Sequence, residues 1–331
     1  MKKVCVVLAV LALLGLCVAA QAVVIDTVRV GDAGNAGELS GANLPYQRVC
    51  GSVGYSYNIG KYEVTAAQYA EFLNAKAKTD TYGLYNTTMS RTDYGSGITR
   101  SGASGSYTYS VASDFVARPV NFVSYWDSCR FANWLNNGQG NGDTETGAYT
   151  LTANGINNNT IARNANWTWA VTSEDEWYKA AYYKGGGANA GYWLYPTSND
   201  AQPGRDMADA SGNNVNYYGD PYPIDSGKYT TVAGEFQNSD SPYGTFDQGG
   251  NVWEWNEAII LGAYRGIRGG SVSSGGGNLR ASLRYYYDAS GESYDVIGFR
   301  VSQIVPVPEP SSIVALAGGL LGIWGMRRRR A

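Results

Sequence analysis

The chain has 331 residues, among them 43 Gly, 27 Tyr and 9 Trp, with only 16% charged residues and a formal net charge of −3. Histidine is absent, which excludes Ser-His-Asp hydrolysis, Cys-His nucleophilic catalysis, His-ligated zinc and facial-triad iron. Six of the 25 basic residues and none of the 28 acidic ones lie in the two end segments, so the body, residues 23–310, carries 19 basic against 28 acidic residues, a net −9. An acidic body argues against nucleic acid and anionic lipid as partners.

Met1-Lys2-Lys3 precedes an apolar run from Val4 to Ala20, and Ala20-Gln21-Ala22 supplies the small-residue cleavage pattern. Residues 1–22 therefore read as a signal peptide, with an uncleaved anchor helix as the alternative. Leu14-Gly15-Leu16-Cys17 puts Leu where a lipoprotein signal needs a small residue, which argues against lipidation at Cys17. Removing the signal leaves Cys50 and Cys129. An oxidising compartment permits a bridge, but Cys129 falls mid-helix by pattern, and two separate buried thiols are expected.

Residues 24–64 read as short strands, with Tyr55 and Tyr57 alternating with small residues over Ser52 to Ile59 and an extended pattern continuing to Val64. Thr65-Ala66-Ala67-Gln68 is a capping box, followed by Tyr69, Phe72 and Leu73 on one helical face. Ser124-Tyr125-Trp126-Asp127 and Ser173-Glu174-Asp175-Glu176 start two further helices. Residues 77–117 and 184–246 lack sustained periodicity and read as ordered, aromatic surface loops. No internal repeat or linker divides the body, so one domain is expected over 23–303. The triple glycine at 275–277 lacks the Lys-Ser/Thr of a phosphate loop.

At the other end, Val307-Pro308-Glu309-Pro310 precedes an apolar segment, 311–326, and the cluster Arg327, Arg328, Arg329 and Arg330. Sixteen residues rise about 24 Å as a helix, slightly short of a bilayer core of ~30 Å, and the arginines would stay cytoplasmic. The order Pro-Glu-Pro, apolar helix, Arg cluster resembles the PEP-CTERM sorting signal of exported bacterial proteins. The resemblance implies recognition by an exosortase-type protease, with 304–331 as a processing address that anchors the chain transiently in the inner membrane. A plain C-terminal anchor is the alternative.

Five motifs in order resemble the formylglycine-generating enzyme (sulfatase-modifying factor) family: Ile59-Gly60-Lys61-Tyr62-Glu63-Val64-Thr65, Arg118-Pro119-Val120, Val171-Thr172-Ser173-Glu174-Asp175-Glu176-Trp177, Gly249-Gly250-Asn251-Val252-Trp253-Glu254-Trp255 with Arg268-Gly269-Gly270-Ser271, and Ile297-Gly298-Phe299-Arg300-Val301. The resemblance implies a single mixed α+β domain, C-type-lectin-like, with short sheets, few helices and many ordered loops. It implies calcium held by Asp247 and Glu254 side chains and the Gly250 and Val252 carbonyls, the alternative being that Glu254 pairs with an arginine. A second calcium would take Asn216, Tyr217 and Asp225. Trp253 and Trp255 are expected in the core. Arg268, Arg284 and Arg300 are expected on loop carbonyls and buried carboxylates.

The family's oxidases hold copper(I) on two cysteines after Gly-Gly-Ser. Here those positions are Ser274 and Leu279, and neither is the soft thiolate that selects Cu(I). No copper and no catalytic residue are expected. The function so implied is an exported, non-catalytic, calcium-stabilised binding or structural protein of the cell envelope, outer surface or extracellular matrix. Its expected partner is a matrix polysaccharide or an envelope protein, met through the loops at 77–117 and 184–246. The alternative is a formylglycine-generating-type or other oxidoreductase of the same family acting on exported proteins.

Overall fold

The computed structural model describes residues 22–41, 44–291 and 296–304. The first four strands are three or four residues long: β1 (Thr27–Val30), β2 (Glu38–Ser40), β3 (Arg48–Cys50) and β4 (Tyr57–Gly60). The extended run expected through Val64 is cut back to β4. Lys61 N–H still bonds in register to the Asp26 carbonyl (2.8 Å), but beyond it the chain turns away, Val64 N–H donating to the Phe299 carbonyl (2.9 Å). It then enters α1 (Ala66–Lys76).

The three expected helix starts are present, and each is a capping box. Thr65 and Gln68 start α1, Ser124 and Asp127 start α2 (Tyr125–Asn136), and Ser173 and Glu176 start α4 (Glu174–Tyr182). Each satisfies two helix-end N–H groups reciprocally. The segment between α1 and α2 is less irregular than expected, because β5 (Ile98–Ser101) and β6 (Thr108–Val111) form a hairpin in it, Ile98 opposite Val111. A one-turn helix, α3 (Ala153–Asn157), and β7 (Trp169–Val171) precede α4. The segment 184–246 contains isolated bridges and no strand among the described residues.

The rest is sheet: β8 (Trp253–Ile260), β9 (Tyr264–Arg268), β10 (Tyr285–Asp288), β11 (Ile297–Gly298) and β12 (Val301–Gln303). Two four-stranded sheets result, ordered β1-β4-β12-β7 and β10-β9-β8-β11. The last strand, β12, lies between β4 and β7, antiparallel to both.

Helix α2 runs through the middle and is buried on nearly every face, from Tyr125 to Leu135. Its Phe131 and Trp134 meet Tyr69 and Phe72 of α1 and Phe299, with ring centroids 5.4–6.5 Å apart. Such edge and offset contacts each contribute about 0.5–1.5 kcal/mol beyond area burial. Trp253 and Trp255 are in this core as expected. Cys50 and Cys129 are both buried, free thiols.

The signal segment before Ala22, the apolar segment 311–326 and the sorting residues Pro308–Pro310 and Arg327–Arg330 lie outside the described residues. Among the described residues no helix is long and apolar enough to cross a membrane.

Candidate functional site

A buried guanidinium is tolerable only when its N–H groups meet oxygens, ideally anionic ones. Arg268 and Arg284 meet this need on one carboxylate at the start of α4. Arg268 Nε and Nη2 lie 3.0 and 2.8 Å from Glu174 Oε1, and Arg284 Nε and Nη2 lie 2.8 Å from Oε1 and Oε2. Arg48 adds a third contact, Nη1 to Oε2 at 3.1 Å. Burial alone would raise the Glu174 pKa, but Arg268, then Arg284 and Arg48, overcome it and lower the value to about 2. The helix N-terminus favours the same charge.

Cys50 sits at the edge of this cluster, its Sγ 3.4 Å from Arg268 Nη2. Burial, followed by the Glu174 charge, pushes the thiol up to about 11. Cys129 is raised as well, chiefly by burial. Both are thiols rather than thiolates at neutral pH, and the thiolate is the reactive form.

A second ion pair lies on β8. Arg300 Nε reaches Glu254 Oε2 and Nη2 reaches Oε1, both at 2.6 Å, and Trp177 Nε1–H donates to Oε2 at 2.7 Å. The other Arg300 N–H groups take the Gly60 and Phe246 carbonyls, both at 2.9 Å. The alternative role for Glu254, pairing with an arginine, is thus the one the structure displays.

Asp247 accepts the Gly234 N–H at 2.5 Å. Between it and Glu254 the chain must pass close to another backbone. Gly250 has φ +85°, and a Cβ there would lie 2.2 Å from the Asn216 carbonyl oxygen, so only glycine fits. Its N–H donates to the Gly269 carbonyl at 3.1 Å, which joins the two glycine motifs.

The residue that sequence analysis missed here is Glu63. It is 1% exposed, and neither carboxylate oxygen has a hydrogen-bond partner. Burial, then the charge of Asp247, pushes its pKa well above the usual carboxylate range. Asp247 is itself raised to about 6, mainly by burial, with the Gly234 N–H and Arg300 opposing. Three buried carboxylates (Glu63, Asp247, Glu254) therefore share one guanidinium (Arg300), which leaves two negative charges uncompensated when all are ionised. An all-oxygen set with that excess suits a hard divalent cation. Among the described residues no three His, Cys, Asp or Glu side chains converge tightly enough to hold a metal alone. Main-chain carbonyls such as those of Gly250 and Val252 would have to complete the shell.

The second expected calcium set is largely taken up by protein partners. The Tyr217 carbonyl accepts from Arg205 Nε at 2.7 Å, and Asp225 pairs with Arg118. Asn216 Nδ2 donates to Asn251 Oδ1 (3.1 Å) and the Tyr229 carbonyl (2.8 Å), leaving its own Oδ1 buried and unbonded.

At the positions of the oxidase cysteines, Ser274 Oγ accepts the Ser271 N–H at 3.1 Å and lies 3.1 Å from Ser271 Oγ. Leu279 is fully buried against Tyr195 and Val215. Beside them runs a chain of rings: Tyr218 to Tyr222 (5.1 Å), Tyr222 to Tyr229 (5.4 Å), Tyr229 to Tyr94 (6.0 Å) and Tyr94 to Phe122 (6.1 Å). Tyr218 is 58% exposed, and Tyr222 Oη lies 3.1 Å from Ser273 Oγ. The two long loops thus meet through aromatic rings next to the altered segment.

The model of the sulfatase-modifying factor enzyme 1-like domain matches residues 28–304. The chain belongs to this family. The PEP-CTERM protein-sorting motif matches residues 306–330. Together they mark an exported family member addressed to the cell envelope, with processing by exosortase-type machinery implied. Among solved structures, the chain is similar to CarF, with 21% identity over 85% of this chain and 99% of that one and a TM-score of 0.51. It also matches Treponema denticola variable protein 1 (18% identity, 84% and 94% covered, TM-score 0.49) and PvdO from Pseudomonas aeruginosa (19%, 85% and 92%, TM-score 0.45). The likeness to CarF is one of fold alone. No curated protein sequence matches the chain. The mixed α+β single-domain architecture expected from the sequence is the one observed.

Proposed function

We propose that this family member is a non-catalytic, calcium-stabilised binding protein of the cell envelope or extracellular matrix. The observation that carries the proposal is the filling of the two thiolate positions by Ser274, bonded to Ser271, and Leu279, walled in by Tyr195 and Val215. A hydroxyl and an isobutyl group give copper(I) no soft ligand. The two remaining cysteines are buried in other elements with raised pKa values, so neither supplies a thiolate.

The contact surface is the junction of the loops at 77–117 and 184–246, with Tyr218, Tyr222 and the exposed Ser273 at its rim. Rigid tyrosines among Gly, Asn and Ser are what adaptable binding loops use, and tyrosine faces and hydroxyls suit a neutral or weakly charged matrix polysaccharide. Calcium is assigned to the carboxylates of Glu63 and Asp247, with carbonyls of the 247–254 turn. There it would neutralise the excess carboxylate charge and tie the turn to the strand-to-helix entry at Glu63.

The test combines metal analysis of the purified body with an oxygen-consumption assay on a thiol peptide. Stoichiometric calcium, no copper and no turnover are expected. Stoichiometric copper or oxygen-dependent thiol oxidation would replace the proposal with an oxidoreductase. A polysaccharide array read with wild type and Y218A addresses the ligand; binding unaffected by Y218A would place the surface elsewhere.

A further inference from the structure

Among the described residues Val23 is the first to pack against the main core, and a single side chain holds both of its backbone polar groups. Val23 N–H donates to Gln139 Oε1 at 2.6 Å, and Gln139 Nε2–H donates back to the Val23 carbonyl at 2.7 Å. Gln68 Nε2 takes the next carbonyl, that of Val24, at 2.9 Å. Val23 and Ile25 pack against the main core while Val24 stays out.

Gln139 presents its amide from a left-handed backbone, φ +61°, just past the end of α2. That conformation is unfavourable for a non-glycine residue and persists only where the surroundings enforce it. Here Gln139 N–H is fixed on the Trp134 carbonyl at 2.8 Å. Ala22 is exposed and opens onto two clefts, of about 350 and 280 Å³, both of which include Ala22 and Glu71. The larger is also lined by Gln139 and by Trp134, whose indole N–H is buried without an acceptor. The charged side chains that line the clefts are Glu71 and Lys78.

We propose that the Ala22–Val23 bond is a processing site and that Gln139, assisted by Glu71, is a built receptor for the α-ammonium group released there. Ala20-Gln21-Ala22 offers the small residues that a signal-peptidase-type protease accepts. Hydrolysis breaks the bond between the Ala22 carbonyl carbon and Val23 N. Water supplies the oxygen of the new Ala22 carboxylate, which departs with residues 1–22, and its protons convert Val23 N into an ammonium. One N–H stays on Gln139 Oε1. The others gain the space vacated by Ala22 and face the cleft that carries Glu71. An opposite charge nearby stabilises the protonated amine, so the mature end is seated and shielded from aminopeptidases.

The experiment has two parts. N-terminal sequencing of the protein recovered after export is expected to begin at Val23; any other start overturns the processing site. In protein that begins at Val23, acylation of the α-amine, located by mass spectrometry, is expected to be about tenfold slower than in the same chain unfolded in urea. Q139A should recover most of that rate, and E71Q, at an exposed position, about threefold. Should Q139A fail to fold, Q139M removes the Oε1 acceptor while keeping the length of the side chain and is expected to recover the rate likewise. An amine equally reactive in folded and unfolded chains, or a folded Gln139 variant no faster than wild type, overturns the receptor.

Discussion

Arg300 and Glu254 face each other through two parallel hydrogen bonds of 2.6 Å, and both are fully buried. The same guanidinium holds the carbonyls of Gly60 and Phe246, so one side chain ties β4, the turn before Asp247 and β8. Removing it strands a carboxylate in a place already crowded with negative charge. R300M is expected to lose about 3–5 kcal/mol of unfolding free energy, read from denaturant midpoints. A loss below ~1 kcal/mol would show that the pair is dispensable.

Acid sensitivity should originate at Glu174. Its pKa is lowered from 4.5 in the unfolded reference to about 2 by Arg268, Arg284 and Arg48 against the effect of burial. A depressed carboxylate contributes stability that is present above pH 4.5 and is lost as the pH falls toward 2. The contribution is on the order of 3 kcal/mol at about 1.4 kcal/mol per unit. Urea midpoints measured from pH 6 to pH 2 should fall in wild type and fall less steeply in E174Q, which starts from a lower midpoint.

Glu63 and Asp247 should report calcium with opposite signs in its presence and absence. In EDTA at pH 8, E63Q removes a buried carboxylate that has no hydrogen-bond partner, so its melting temperature is expected to rise by a few degrees. In millimolar calcium, wild type should gain stability by mass action, while E63Q and D247N should gain little. Equal calcium responses in all three proteins would remove the site from these carboxylates.

Copper(I) affinity should be created rather than lost by mutation. Wild type is expected to take up no copper under reducing conditions. S274C/L279C supplies two soft ligands to the altered segment and should bind up to one equivalent. The cost is about 1–3 kcal/mol of stability, from the packing of Leu279 against Tyr195 and Val215. A double variant that folds and binds none would mean that positions 274 and 279 no longer converge on one ion.

Helices α1, α2 and α4 were legible because their signals are local, whereas the five-residue α3 (Ala153–Asn157) is too short to show a periodicity. Each capping box spans four residues, and Thr65, Ser124 and Ser173 announce it without help from the rest of the chain. The β5–β6 hairpin was not, because its buried side chains are few, Ile98 and Tyr109, and they alternate with Thr, Ser and Arg. The arginines and Trp253 and Trp255 were placed correctly in kind from their motifs. Glu63 illustrates what a motif cannot carry. Its isolation follows from Asp247, Arg300 and Glu254 arriving from distant segments, and nothing beside Tyr62 or Val64 distinguishes it from an ordinary paired glutamate. Gln139 is similar, since its strained backbone and its grip on Val23 both depend on where α2 ends relative to β1.

The place of β12 in the middle of its sheet has a consequence for secretion. Neither β4 nor β7 gains its inner neighbour until Val301–Gln303 has been delivered, and the sorting motif begins at residue 306. Until those residues are made, the sheet β1-β4-β12-β7 is split into β1-β4 and an unpaired β7. The sheet that carries β4 and β7 is therefore completed by the last described strand of the domain, directly before the sorting motif.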